Sequence, residues 1–200
     1  MKQEEQKERS KNVDTYTETV LSLYSGGGGL DIGFSVAAGV GRPVKSVCYV
    51  ERELSSTAIL VNAIKNGYLE DAPIWTDSTT FDSKPWRGKV DWIIGGFPCQ
   101  PWSAAGKGEG TEDERWLWDD IKRAINEVGC SYIFLENVAG LITGNGLPLI
   151  LGDLSEMRFN VEWISLQASE VGATHQRERV FILGYHENSK PRPVNKLFDL

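Results

Sequence analysis

The chain has 200 residues, enough for one well-buried domain and rarely for two. Its 40% apolar and 24% charged residues are the balance of an ordinary globular protein, and no apolar run approaches the roughly 20 residues of a membrane span. A formal net charge of −7 and a pI near 5.0 speak against tight nucleic-acid binding by this chain alone, for which a basic patch is the usual footprint.

Residues 1–18 open with MKQEEQKERSKNVD, mixed in charge and without hydrophobic period. They are expected to be a disordered or fraying tail, and the absence of an apolar core excludes a signal peptide, so a cytoplasmic protein is expected. The first apolar run, VLSLYS (20–25), reads as a buried parallel strand and leads directly into SGGGGLDIGF (25–34). Four consecutive glycines let the backbone turn sharply, approach a ligand and present N–H groups at the start of a helix, expected over Leu30–Ala38. The G-x-G-x-x-G pattern of dinucleotide folds is interrupted by Asp31 or Ile32, which weakens a nicotinamide reading. A tight turn without a ligand is the alternative.

SVCYVE (46–51) is the next strand and ends on Glu51, where an acid suits the hydroxyls of a ribose. A helix over Leu54–Asn66 follows. Asp77 then sits in a polar loop after APIWT, where a carboxylate can accept from an adenine amino group. Surface acids are common, so neither residue convinces alone; with the glycine loop they outline a pocket for an adenosine-type ligand.

The strand VDWIIGG (90–96) runs into GGFPCQPWS (95–103), the most informative loop. Pro98 and Pro101 bracket Cys99 and Gln100, fixing the backbone so that the thiol is held in a set direction. A free thiol titrates near 8.5 and its thiolate is strongly nucleophilic, so Cys99 is read as a nucleophile rather than a core residue. The polar, glycine-containing AAGKGEGTEDER (104–115) is expected to be a mobile lid over substrate. A helix is expected over Asp113–Val128, then the strand SYIFLEN (131–137). Glu136 at its end is a candidate proton donor, since burial raises a carboxyl's pKa. A helix over Leu147–Met157 and the runs NVEWISLQA (160–168) and RVFILGY (179–185) complete the series. In HQRERVF (175–181), Arg177 and Arg179 project from one face if the backbone is extended; ordinary surface charge is the alternative. Residues 187–200 read as a C-terminal tail.

Cys48, Cys99 and Cys130 lie far apart without a C-x-x-C pair, and His175 and His186 are the only histidines. Neither a metal site nor a disulfide framework is expected, and Cys48 and Cys130 read as small buried hydrophobes. Strand–helix alternation implies an α/β doubly wound sheet, in which ligands collect beyond the carboxyl ends of the strands.

Six of these segments, in order from about Val20 to Tyr185, resemble the cytosine-C5 DNA methyltransferases of bacteria and phages: YSGGGGLDIGF, VERE, TDSTTF, GGFPCQPWSAAGKG, FLENVAGL and THQRERVFILGY. The resemblance implies a Rossmann-like methyltransferase domain over 19–186, with a mostly parallel sheet of about seven strands and the last antiparallel. It implies S-adenosylmethionine as cofactor, S-adenosylhomocysteine as product, no metal, and a cytosine flipped out of duplex DNA as substrate. Cys99, with Gln100 beside it, would add to C6 of the base. Glu136 would hold or protonate N3, and Arg179, with Arg177, would hold the O2 edge. Cofactor contacts map onto Tyr24, Ser25, Gly26, Gly28, Gly29, Leu30, Glu51, Arg52, Asp77, Ser78, Pro98 and Trp118. Ser103, Arg115 and Asn137 match positions of the lid and the flipped base.

The chain departs from the family pattern at Tyr24 (usually Phe), Thr174 (often Pro), His175 (often Gln) and Arg52, where some members carry an aromatic. It also ends shortly after the sixth segment, where the family continues with a target-recognition domain and a last segment carrying an Asn. A minimal enzyme, one half of a split enzyme acting with a separate recognition subunit, and a shortened piece are all compatible with that. A non-catalytic S-adenosylmethionine-binding subunit and an RNA cytosine methylase are the rival functions. No membrane partner is expected.

Overall fold

A computed structural model describes residues 16–39, 42–98 and 116–189. Seven strands form one sheet: β1 (Glu18–Leu23), β2 (Val44–Val50), β3 (Ile74–Trp75), β4 (Trp92–Gly95), β5 (Tyr132–Val138), β6 (Phe159–Gln167) and β7 (Glu178–His186). The described helices are α1 (Gly29–Ala38), α2 (Leu54–Lys65), α3 (Trp118–Val128), the one-turn α4 (Gly140–Thr143) and α5 (Gly146–Glu156). The spatial order is β3-β2-β1-β4-β5-β7-β6. β1 to β5 pair in parallel, and β7 runs antiparallel to both β5 and β6. The order reverses between β1 and β4, which is where an open α/β sheet leaves a crevice for ligand.

The strands form because their sequences suit a sheet covered on both faces. β4 (WIIG) is buried at every position, and alternate residues of β1 face opposite layers. On one side Val20, Trp92, Ile94, Tyr132, Phe134 and Leu183 pack with Phe34 of α1. Phe34 meets Trp92 edge-on at 4.8 Å and lies over Phe134 at 5.7 Å. On the other side Leu21, Ile93, Ile133 and Ile182 pack against α3 and α5. α3 shows why that layer forms: Trp118, Ile121, Ala124, Ile125 and Val128 fall at helical spacing and are all buried. Asp119 and Asp120 lie in its first turn, favourable to the helix dipole, and Gly129 closes it in a left-handed conformation with its N–H on the Ile125 carbonyl.

The strands expected from sequence are present in order, and the two-residue β3, inside APIWT, is the seventh. α3 begins at Trp118 rather than Asp113; residues 113–115 of that expectation lie outside the described residues. The tail expected over 1–18 falls largely outside them too, but Glu18 already belongs to β1, and its carboxylate accepts the Trp92 indole N–H at 2.6 Å. Past β7, Glu187 pairs with Arg158 at 2.8 Å. No helix among the described residues is long and apolar enough to cross a membrane.

Candidate active site

The glycine loop leaves the carboxyl end of β1. Tyr24 adopts a left-handed backbone (φ 54), unusual for a residue with a side chain, and Gly26 follows at φ 55. Gly28 caps α1 at φ 81, a left-handed conformation that favours glycine, and a Cβ there would also press on the Leu69 side chain. A Cβ on Gly26 or Gly29 would meet nothing within 4 Å, because both border open space. That space is a cavity of about 540 Å³ lined by Tyr24, Ser25, Gly26, Gly29 and Leu30 on one wall, and by Gly96, Phe134, Glu136 and Phe181 on the other.

Glu51, one residue past β2, turns its carboxylate back to the loop. Oε2 accepts the Gly26 N–H at 2.7 Å and Oε1 accepts the Glu53 N–H at 2.6 Å. It therefore braces the glycine turn from beside the cavity. The loop after β3 is organised by Asp77, whose Oδ1 accepts the Thr79 hydroxyl at 2.7 Å and N–H at 2.9 Å. Those bonds hold its carboxyl below the ordinary value, with a smaller contribution from the exposed Arg52. Ser78 faces the other way: the Tyr24 hydroxyl donates to its Oγ at 2.7 Å.

Glu136 and Arg179 meet because β7 is antiparallel to β5, which returns the start of β7 to the carboxyl end of β5. The Arg179 guanidinium lies 2.7 Å from Glu136 Oε1, with both side chains about three-quarters buried. Burial pushes the Glu136 carboxyl above its ordinary value, while Arg179 and then Arg177 pull it back. Gly96 stands close by, where a Cβ would lie 3.0 Å from Glu136 Oε2. Arg177 precedes β7 and is exposed; its N–H donates to His175 Nδ1 at 3.4 Å.

Two of the expected site residues have their side chains in the core. Trp118 is 1% exposed in the layer between sheet and helices, with its indole N–H on Asp153 Oδ2 at 2.6 Å and its ring against Phe97. It is a core residue and does not line the cavity. Asn137 is 2% exposed and donates to the Phe97 carbonyl at 3.2 Å, so it fixes the backbone leading into the Cys99 loop rather than facing a base. Pro98 is exposed at the edge of the described residues, while Cys99, Gln100, Ser103, Arg115 and the lid expectation lie outside them. Cys48 and Cys130 are buried, which pushes their thiols up to about 11 and about 12. Among the described residues no group of three His, Cys, Asp or Glu could hold a metal ion.

Sequence reasoning missed Asp31, Asp120 and Arg123. Asp31 is buried beneath the glycine loop and accepts from Ser22 on β1 and Ser46 on β2, each at 2.9 Å. A charged residue inside an apolar helix was its available signal. Asp120 and Arg123 gave none beyond their i,i+3 spacing.

Residues 19–198 match the family model of C-5 cytosine-specific DNA methylases. The chain belongs to the C-5 cytosine-specific DNA methylase family. Among curated members, it is 32% identical over 176 residues to the type II methyltransferase M.BanI of Aneurinibacillus aneurinilyticus, covering 86% of this chain and 39% of that protein. It is 29% identical to M.CviJI of Paramecium bursaria Chlorella virus IL3A, covering 87% and 45%. The chain thus spans less than half the length of these relatives. Of solved structures, the S. pombe Dnmt2 methyltransferase superposes with TM-score 0.69 at 20% identity, covering 92% of this chain and 54% of that one. A putative DNA modification methyltransferase encoded in an E. coli prophage gives 0.64 at 24% identity, covering 86% and 47%. These structures share the fold of this family member.

Proposed function

We propose that this chain is the catalytic part of an S-adenosylmethionine-dependent DNA cytosine-5 methyltransferase acting on a flipped-out base. The supporting observation is the shared cavity: the glycine loop forms one wall, and Glu136, held by Arg179, stands on the other. The loop suits the cofactor because Gly26 and Gly29 leave a cradle that side chains would fill. Tyr24, Ser25, Gly26, Gly29 and Leu30 would hold it, with Glu51 and the Asp77–Ser78 loop toward its ribose and adenine. S-adenosylmethionine, when bound, supplies an electrophilic methyl group and departs as S-adenosylhomocysteine.

The chain's own residues do the rest. Cys99 follows cavity-lining Gly96 by three positions in the sequence, which assigns it to the same site in this reading. The Cys99 thiolate adds to C6 of cytosine, forming the S–C6 bond and making C5 nucleophilic. Glu136, its pKa raised by burial, hydrogen-bonds or protonates N3 and so favours that addition. Arg179 orients the Glu136 carboxyl and, with Arg177, offers donors to the O2 edge. Once C5 has taken the methyl group in a C5–CH3 bond, the C5 proton passes to a base or solvent and the C6–S bond breaks, which restores the C5–C6 double bond and the Cys99 thiolate.

With a net charge of −7, the chain is expected to grip duplex DNA with help from a further segment or a second, sequence-reading polypeptide. The test is tritiated-methyl transfer to duplex DNA, single-stranded DNA and transfer RNA, with and without the products of adjacent genes. Incorporation into duplex DNA is expected. Transfer to RNA alone, or none from a preparation that binds S-adenosylhomocysteine, would move the assignment to RNA methylation or to a binding subunit.

A further inference from the structure

The Tyr24 hydroxyl and its partners form a connected set of hydrogen bonds. The Tyr24 hydroxyl donates to Ser78 Oγ at 2.7 Å, and Ser78 Oγ donates to Asp120 Oδ2 at 3.1 Å. Asp120 Oδ2 also lies 3.2 Å from the Tyr24 hydroxyl. One turn along α3, Arg123 spreads its guanidinium over the same loop, with Nη2 on the Ser78 carbonyl at 2.8 Å and Nη1 on the Phe81 carbonyl at 3.0 Å. Its Nη2 also lies 3.6 Å from Asp120 Oδ1. Two side chains on α3 therefore grip both the residue that opens the glycine loop and the loop that carries Asp77.

Two features separate this from ordinary loop anchoring. Tyr24 lines the cavity directly and holds a left-handed backbone, a conformation that persists only where several contacts determine it together. The partners are also half-buried, so the hydrogen bonds are little competed by water.

We propose that Asp120 and Arg123 are positioning residues for the cofactor: through Ser78 and the Tyr24 hydroxyl they set the spacing between the glycine loop and the Asp77 loop, and hence the affinity for the adenosine end. This rests on the reading of the cavity as an S-adenosylmethionine site.

The test is calorimetric titration of the whole chain with S-adenosylhomocysteine and with adenosine, using Tyr24→Phe, Asp120→Asn, their double variant and Arg123→Lys. Tyr24→Phe and Asp120→Asn should each weaken both ligands by about 3- to 10-fold, the range expected for one net hydrogen bond. The double variant should lose clearly less than the product of the two single losses, because the residues act through one chain of bonds. Arg123→Lys should also weaken binding, since an ammonium cannot span two carbonyls as the fork does. Binding by Tyr24→Phe and Asp120→Asn within twofold of the unsubstituted chain, or losses that simply multiply, would overturn the proposal. If Arg123→Lys fails to fold, the Tyr24–Asp120 cycle decides alone. Failure of the unsubstituted chain to bind either ligand would instead overturn the cofactor reading, and this inference with it.

Discussion

Glu136 and Arg179 touch although they are not opposite each other in the sheet: Glu136 is in register with Phe181, and Arg179 with Val138. The contact is the diagonal one that a long side chain can make across two antiparallel strands. It exists because β7 enters the sheet reversed, which brings the QRER segment to the carboxyl end of β5. Burial acts on Glu136 in one direction and the guanidinium in the other.

Replacing Arg179 should therefore leave Glu136 to its burial. In Arg179→Met the Glu136 titration, followed by carbon-13 resonance of labelled glutamate, is expected to move upward. Methyl transfer should fall by about 10²-fold or more, the usual scale of a misplaced acid–base group. Arg179→Lys should return part of the titration but little of the rate, because a point charge does not reproduce the planar fork. An unmoved Glu136 titration in Arg179→Met would show that the pair exerts no control.

Asp31 supplies a stability signal that varies with pH. Burial raises its carboxyl from 3.8 to about 6, against the opposing hydroxyls of Ser22 and Ser46. A rise of that size means that ionising Asp31 costs the folded state about 3 kcal/mol. The folded protein binds the proton more tightly than the unfolded chain, so stability falls as pH climbs from about 4 to about 6 and stays lowered above that. Asp31→Asn keeps the shape without the charge. Its melting temperature should exceed that of the parent at pH 8, and the gap should shrink toward pH 4.5. A gap independent of pH would mean that the Asp31 carboxyl is not titrating in this window.

The cofactor reading makes a ligand-specific claim. S-adenosylhomocysteine at one hundred times its Kd should stabilise the fold by about 2.7 kcal/mol, seen as a raised melting temperature. NAD should not, since Asp31 and Ile32 break the glycine spacing a dinucleotide needs. Calorimetry that finds no S-adenosyl ligand bound at concentrations up to about 1 mM would contradict the assignment.

Most of the fold was legible in the sequence because a parallel sheet covered on both faces demands apolar runs, and VLSLYS, VDWIIGG and SYIFLEN can hardly be anything else. β3 was not, since two residues carry no period. The glycine loop, Glu51 and Glu136 were legible because each directly follows or ends a strand. Trp118 and Asn137 misled for one reason: their positions along the chain are near the site, but the side chains turn into the core and onto the Phe97 carbonyl. Asp120 and Arg123 reach the Ser78 loop across some forty residues of sequence, as through-space ties that no local pattern records.

The most direct test of the account is covalent trapping on DNA containing 5-fluorocytosine, whose C5 substituent cannot leave as a proton after methyl transfer. With S-adenosylmethionine present, the chain should appear as a denaturation-resistant band joined to DNA through Cys99. Cys99→Ser should abolish both the band and turnover. Cys48→Ser and Cys130→Ser should leave the band in place, because burial holds those thiols protonated up to about 11 and about 12. An adduct that survives Cys99→Ser in an active preparation would contradict the mechanism, and the absence of an adduct in every preparation, alone or with a partner, would contradict the assignment of methyl transfer to this chain.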